Sequence, residues 1–151
     1  MPQTETAGEI RIREFQARDY DQVIGLWEEG RLPVKREGRD SRQAILGQLA
    51  EPEVIFLVAE AGERVVGTVL ATHDGRKGWV NRLAVAADFR RRGLGRKLVA
   101  EAEARFEALG LGIFACLIED WNGESMAFFE GLGYRKHPEI LYFAKRKFPG
   151  A

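Results

Sequence analysis

Three features of the sequence predict a mixed α/β (α+β) domain with a central, mostly antiparallel sheet flanked by helices. Short apolar or alternating runs of strand length recur along the chain. Glycine-containing turns at Ala61-Gly62-Glu63 and from Asp74-Gly75 to Gly78 join consecutive runs as hairpins. A long amphipathic stretch from Leu94 to Leu109 then connects two apolar runs as a crossover helix.

Residues 1–9 are polar and read as a disordered tail, leaving residues 10–148 as one domain. Ile10-Arg11-Ile12-Arg13-Glu14-Phe15 alternates apolar and polar side chains, the pattern of a half-buried strand. From Asp19, Tyr20, Val23, Ile24 and Trp27 mark one face of a helix that stops near Gly30. Pro33 and alternating charges make residues 32–38 a surface loop. Asp40 or Ser41 caps a second helix with Ile45 and Leu49 inward, ending before Pro52.

Residues 54–59 are continuously apolar and predict a central strand, with residues 65–72 returning as its hairpin partner. Trp79 to Val85 is the next strand. Leu94, Leu98, Ala102, Phe106 and Leu109 then recur at helical spacing, Glu101 precedes Arg105 by one turn, and Gly110 stands where a left-handed cap is expected. Residues 113–118 form another apolar run, broken by Glu119-Asp120-Trp121-Asn122-Gly123. A helix over residues 125–132, closed by Gly133, and a last strand over residues 140–145 complete the chain.

With 151 residues the chain has the length of a single domain with a real core, and its 45% hydrophobic and 30% charged residues are ordinary for a globular protein. Zero net charge argues against nucleic acid or an anionic membrane as a partner. Cys116 is the only cysteine, so an intrachain disulfide is excluded and a reducing, cytoplasmic setting is expected. Two histidines and one cysteine, far apart, predict no metal site, and no apolar run has membrane-spanning length. Monomer and homodimer both remain open.

The charge at the start of the long helix breaks a rule. Arg90, Arg91, Arg92, Arg96 and Lys97 crowd the positive end of the helix macrodipole, where acidic residues are favourable. A bound anion would make that arrangement favourable, and Gly93 and Gly95 leave room for backbone N–H groups to reach an oxyanion. The stretch therefore reads as a pyrophosphate cradle. It is neither a Walker loop nor a completed dinucleotide fingerprint, because Leu98 stands where a third glycine is required.

Arg90-Arg91-Arg92-Gly93-Leu94-Gly95 resembles motif A of the GNAT superfamily of acyl-CoA-dependent N-acyltransferases, with its Q/R-x-x-G-x-G/A signature. Leu83-Ala84-Val85 precedes it on a strand, and Asn122, Ser125, Phe128 and Gly133-Tyr134 match the family's second block. The resemblance implies a sheet splayed between two central strands and transfer of an acetyl group from acetyl-CoA directly to a primary amine. It also implies backbone pairing of Leu83 and Val85 with the pantetheine arm, and pyrophosphate held by Arg90, Arg91, Arg92, Gly93, Leu94, Gly95 and Arg96. Asn122, Ser125 and Phe129 would lie along the pantetheine and thioester. Read as residues alone, Asn122 is equally a helix N-cap.

Direct transfer needs a neutral amine, an N–H near Leu83 for the developing oxyanion, and a proton for the leaving thiolate. Glu119, just past a strand, is the first candidate base, with Glu28, Glu29 and His73 as alternatives. Many family members carry a tyrosine as the acid where this chain has Phe129, which puts Tyr142 of the last strand forward as the substitute. Tyr134, beyond the helix end, and Cys116, inside an apolar run, are poor candidates. Rival readings are a non-catalytic acyl-CoA-binding module, a nucleic-acid-binding domain using the arginines, and a phosphotransferase, the last without its signature motifs.

Overall fold

The computed structural model describes residues 9–151, so the expected N-terminal tail lies, but for Glu9, outside the described residues. Its elements run β1 (Arg11–Glu14), α1 (Tyr20–Glu29), α2 (Arg42–Gln48), β2 (Val54–Ala61), β3 (Arg64–His73), β4 (Gly78–Val85), α3 (Leu94–Ala108), β5 (Phe114–Cys116) and α4 (Gly123–Gly131). Single 3-10 turns precede α1 and α3, at Ala17–Asp19 and Ala87–Phe89. The strands form one sheet in chain order, antiparallel from β1 to β4 and parallel between β4 and β5. This is the mixed, mostly antiparallel sheet that the hairpins and crossover helix predict.

Burial follows from the apolar runs. Ile55 to Ala59 of β2 and Val65 to Ala71 of β3 are buried on both sides, because helices cover both faces of the sheet. On one face, α3 lays Leu94 and Leu98 against Gly67 and the ring of Phe106 on Gly78. A Cβ at Gly78 would stand 2.4 Å from that ring, so only glycine permits this approach. On the opposite face α1 buries Val23, Ile24 and Trp27 completely or nearly so. Trp27 stacks on Phe56, which stacks in turn on Phe15.

The helix ends are set locally. The Ser41 hydroxyl accepts the Ala44 N–H at 3.1 Å, which selects Ser41 over Asp40 as the cap of α2. At the end of α3, Gly110 is left-handed at φ 85° and donates to Glu107, while Leu111 donates to Phe106. This Schellman reversal corrects one expectation: it turns Leu111 inward and leaves Leu109 55% exposed.

A larger correction concerns residues 140–145, which form no strand. Ile140, Leu141, Tyr142 and Phe143 are 68–88% exposed. The run has the residues of a strand, but a strand exists only with a ladder partner, and Pro138 and the cations on either side favour solvent. β5 is itself only three residues long.

Candidate functional site

β4 and β5 part company midway, and the site begins at that opening. Their parallel pairing ends at Val80↔Cys116, whereas β4 continues to Val85. The opening starts at a β-bulge: Arg82 pairs with Leu70 and Val80 with Ala71, so Asn81 is the extra residue. Beyond it, Arg82 and Ala84 face β3 in register, and the Ala86 N–H donates to the Val66 carbonyl. Backbone alternation then points the N–H and C=O groups of Leu83 and Val85 into the opening, where an extended chain could pair with them.

That free edge leads into the start of α3. Arg91 and Gly93 are both left-handed, at φ 65° and 78°, and the first intrahelical bond runs from the Lys97 N–H to the Gly93 carbonyl. The N–H groups of Arg91 through Arg96 consequently donate to no described residue, and no side chain caps the helix. Unpaired donors at a helix N-terminus make a concave anion site.

Arg91, Arg96 and Lys97 make no ion pair among the described residues. The Arg90 Nε donates to the Val85 carbonyl at 3.0 Å, and Arg92 lies 4.7 Å over the Phe89 ring. Asp88, the acid of this loop, is neutralised: Arg64 grips it at 2.8 and 2.9 Å and holds its carboxyl below the usual range.

α4 closes the far side of the opening. Asn122 is its N-cap, with Oδ1 accepting the Ser125 N–H at 3.1 Å, and its Nδ2 donates to no described residue. Phe128, which sequence reasoning matched only as a family position, bridges the two walls. A Cβ on Gly95 would meet its ring at 3.2 Å and Leu83 at 3.8 Å. A side chain at Gly95 would crowd Phe128 of α4, so the glycine serves this packing as well as any approach to a ligand. Phe129 is 7% exposed, edge-on to Phe128 and Tyr134.

The candidate acids and bases sort by their partners. Glu28 is held at both oxygens by Arg36, which keeps its carboxyl below the usual range, and Glu29 accepts the Ala87 N–H. His73 Nδ1 accepts the Gly75 N–H in the β3–β4 turn. The Glu119 carboxylate, exposed on the loop between β5 and α4, has no partner among the described residues. Tyr134 donates to Glu103 at 2.7 Å, and burial together with that bond raises its pKa. Burial lifts the Cys116 thiol to about 11, so it is no nucleophile. Tyr142, expected on a strand, is 69% exposed and belongs to no element. No helix among the described residues is long and apolar enough to cross a membrane.

A splayed sheet, a bulged central strand and a donor-lined helix start define the class: an acetyltransferase of the GNAT type. The chain belongs to that family, since the model described as Acetyltransferase (GNAT) family matches residues 11–134. A curated relative, Acetyltransferase plu1384 of Photorhabdus laumondii subsp. laumondii, is 33% identical over 138 residues, 91% of this chain and 95% of its own. Among solved structures, the PaiA N-acetyltransferase of Thermoplasma acidophilum in complex with coenzyme A superposes with a TM-score of 0.74 at 19% identity. That match covers 84% of this chain and 90% of the other. The aminoglycoside N-acetyltransferase AAC(6')-Iy in complex with CoA gives a TM-score of 0.74 at 18% identity, covering 91% and 95%. At such identities the likeness concerns the fold. The chain is an acyltransferase enzyme.

Proposed function

We propose that the enzyme transfers an acetyl group from acetyl-CoA to a primary amine in a ternary complex. The observation that supports this reading is the continuity of the β4 edge at Leu83 and Val85, which no strand pairs and where only the Val85 carbonyl is taken, by the Arg90 Nε, with the N–H groups of Arg91 to Arg96 that donate to no described residue. An extended arm ending in a pyrophosphate matches that surface in shape and charge. The arm pairs with the edge as an added strand, and the pyrophosphate meets N–H groups, guanidiniums and the helix dipole. Ala84, whose backbone faces β3, supports the edge from behind.

The acyl carbon of the substrate then lies toward the bulge at Asn81. A neutral amine attacks it, the C–N bond forms, an N–H near Leu83 stabilises the oxyanion, and the C–S bond breaks. Glu119 takes the amine proton, directly or through a water, because its carboxylate alone among the candidates is unengaged. The proton for the thiolate comes from water, since Phe129 has no hydroxyl and the Tyr134 hydroxyl is committed to Glu103.

Thiol release from acetyl-CoA, screened over small polyamines, aminoglycosides, amino acids and peptides, tests the activity. One amine should turn over, and Glu119→Gln should lower kcat most near neutral pH, where the carboxylate is ionised and the amine protonated, and least at alkaline pH, with CoA affinity unchanged. CoA binding without turnover of any amine would reject transfer to an amine and leave a binding module.

A further inference from the structure

The start of β3 is fastened beside the loop that leads into α3. β3 begins at Arg64, and the next N–H, of Val65, donates to the Gln22 side chain of α1 at 2.9 Å. The Ala86 N–H donates to the Val66 carbonyl at 2.8 Å, so the turn at Ala87–Phe89 runs alongside these residues. Arg64 and Asp88, 24 residues apart, meet there as fork and carboxylate at 2.8 and 2.9 Å. The Arg64 guanidinium also lies 5.5 Å over the Phe89 ring, which carries Arg92 at 4.7 Å.

The fold gains little from this pair. Its side chains are 52% and 60% exposed, and exposed pairs contribute little to stability. Its position matters more than its strength. Asp88 is the only acid from Ala86 to Lys97, a stretch with five cations. An unengaged carboxylate there would repel an anion and compete with it for the nearest guanidinium. That guanidinium belongs to Arg92. The Arg64 hydrogen bonds hold the Asp88 carboxyl below its usual range, and Arg92 adds its field to theirs. Glu29, which accepts the Ala87 N–H at 3.3 Å, brings a second negative charge to the same corner, within the field of Arg64.

We propose, on the reading that the start of α3 holds the pyrophosphate of acetyl-CoA, that Arg64 is a positioning residue for that ligand: by occupying both oxygens of Asp88 it keeps Arg92 free for the anion. The role falls to a side chain of the β2–β3 hairpin, outside the arginine–glycine stretch. Without the Arg64 fork, Asp88 turns to Arg92, and a cation of the cradle is spent within the protein.

Titration calorimetry with CoA on the full chain and its folded variants tests this. Arg64→Gln should raise the Kd about 5-fold, the size of one exposed charge interaction. Asp88→Asn should leave the Kd unchanged or lower it, and Arg64→Gln/Asp88→Asn should return it to the wild-type value. A clasp that merely shaped the loop would behave otherwise, since breaking it from either side would weaken binding alike. The capture of Arg92 has its own signature. Arg92→Gln should weaken binding about 5-fold in wild type and in the Arg64→Gln/Asp88→Asn background, but less than about 2-fold in Arg64→Gln alone. Unchanged affinity in Arg64→Gln, equal losses in Arg64→Gln and Asp88→Asn, no rescue in the double variant, or an Arg92→Gln cost indifferent to Arg64 each overturns the proposal. A wild type that binds no CoA would instead overturn the cradle itself.

Discussion

Arg82 of β4 and Asp40 of the α1–α2 loop, 42 residues apart in sequence, meet in a two-pronged ion pair at 2.8 and 3.0 Å. Both side chains are largely buried, the guanidinium lies 4.3 Å over the Trp27 ring, and an Asp40 oxygen also accepts the Lys35 N–H. The pair fastens the loop across the strand immediately after the Asn81 bulge. Removing Asp40 leaves a buried guanidinium without its counter-charge. Asp40→Ala should therefore cost about 3 kcal/mol in urea unfolding. It should also raise the KM for the amine more than that for acetyl-CoA, because the loop borders the opening from the α1 face. A loss below about 0.5 kcal/mol would place the pair among those that contribute little.

The glycines at the start of α3 allow a controlled test of the cradle. Gly93 is left-handed with nothing within 4 Å of a Cβ, so a side chain there is strained but projects into open space. Gly93→Glu should lose about 1 kcal/mol from backbone strain, lowering Tm by about 3 °C, and should abolish CoA binding through bulk and like charge. Gly62, in the β2–β3 turn, has φ 63° and equally open surroundings. Gly62→Glu should cost the same stability and leave CoA affinity intact in titration calorimetry. Equal CoA binding by both variants would remove the cradle from the site.

The missing phenol gives a rate prediction. Phe129→Tyr should raise kcat with little change in CoA affinity, by up to about 10²-fold, the lower end of what a general acid commonly contributes. Tyr142→Phe should leave the rate unchanged, because Tyr142 is exposed and outside the sheet. A severe loss in Tyr142→Phe would route the proton through that residue instead.

Two groups set the alkaline limit of stability. Burial raises Cys116 from 9.0 to about 11, and burial with the Glu103 bond raises Tyr134 above its usual 10.0. The folded chain therefore holds protons that the unfolded chain has released. Their contribution is complete below pH 9 and declines as pH rises toward 11. Denaturant midpoints measured across that interval should fall, and less steeply in Cys116→Ala. A flat profile would mean the thiol titrates normally.

Periodicity and punctuation were enough to read most of the elements. Val23, Ile24 and Trp27 face inward because a 3.6-residue repeat leaves them no other face, and β2 is central because nothing polar interrupts it. The unusual helix start was legible too, since five cations and two glycines at a positive dipole contradict local preference. These are local properties, written in neighbours along the chain.

Other features depend on which residues meet across the fold. Asp40 and Arg82 are unremarkable as letters, and only the sheet register and the return of the α1–α2 loop make them partners. Gly95 reads as a ligand-facing gap until Phe128 arrives from α4 to fill it. The Asn81 bulge leaves no mark in hydrophobic alternation, yet the opening begins there. Residues 140–145 show the converse: a strand-like pattern specifies which side chains would face together, but not whether an edge is there to receive them. Local propensity is a property of the chain, whereas pairing needs a second surface, and the tertiary structure decides where that surface lies.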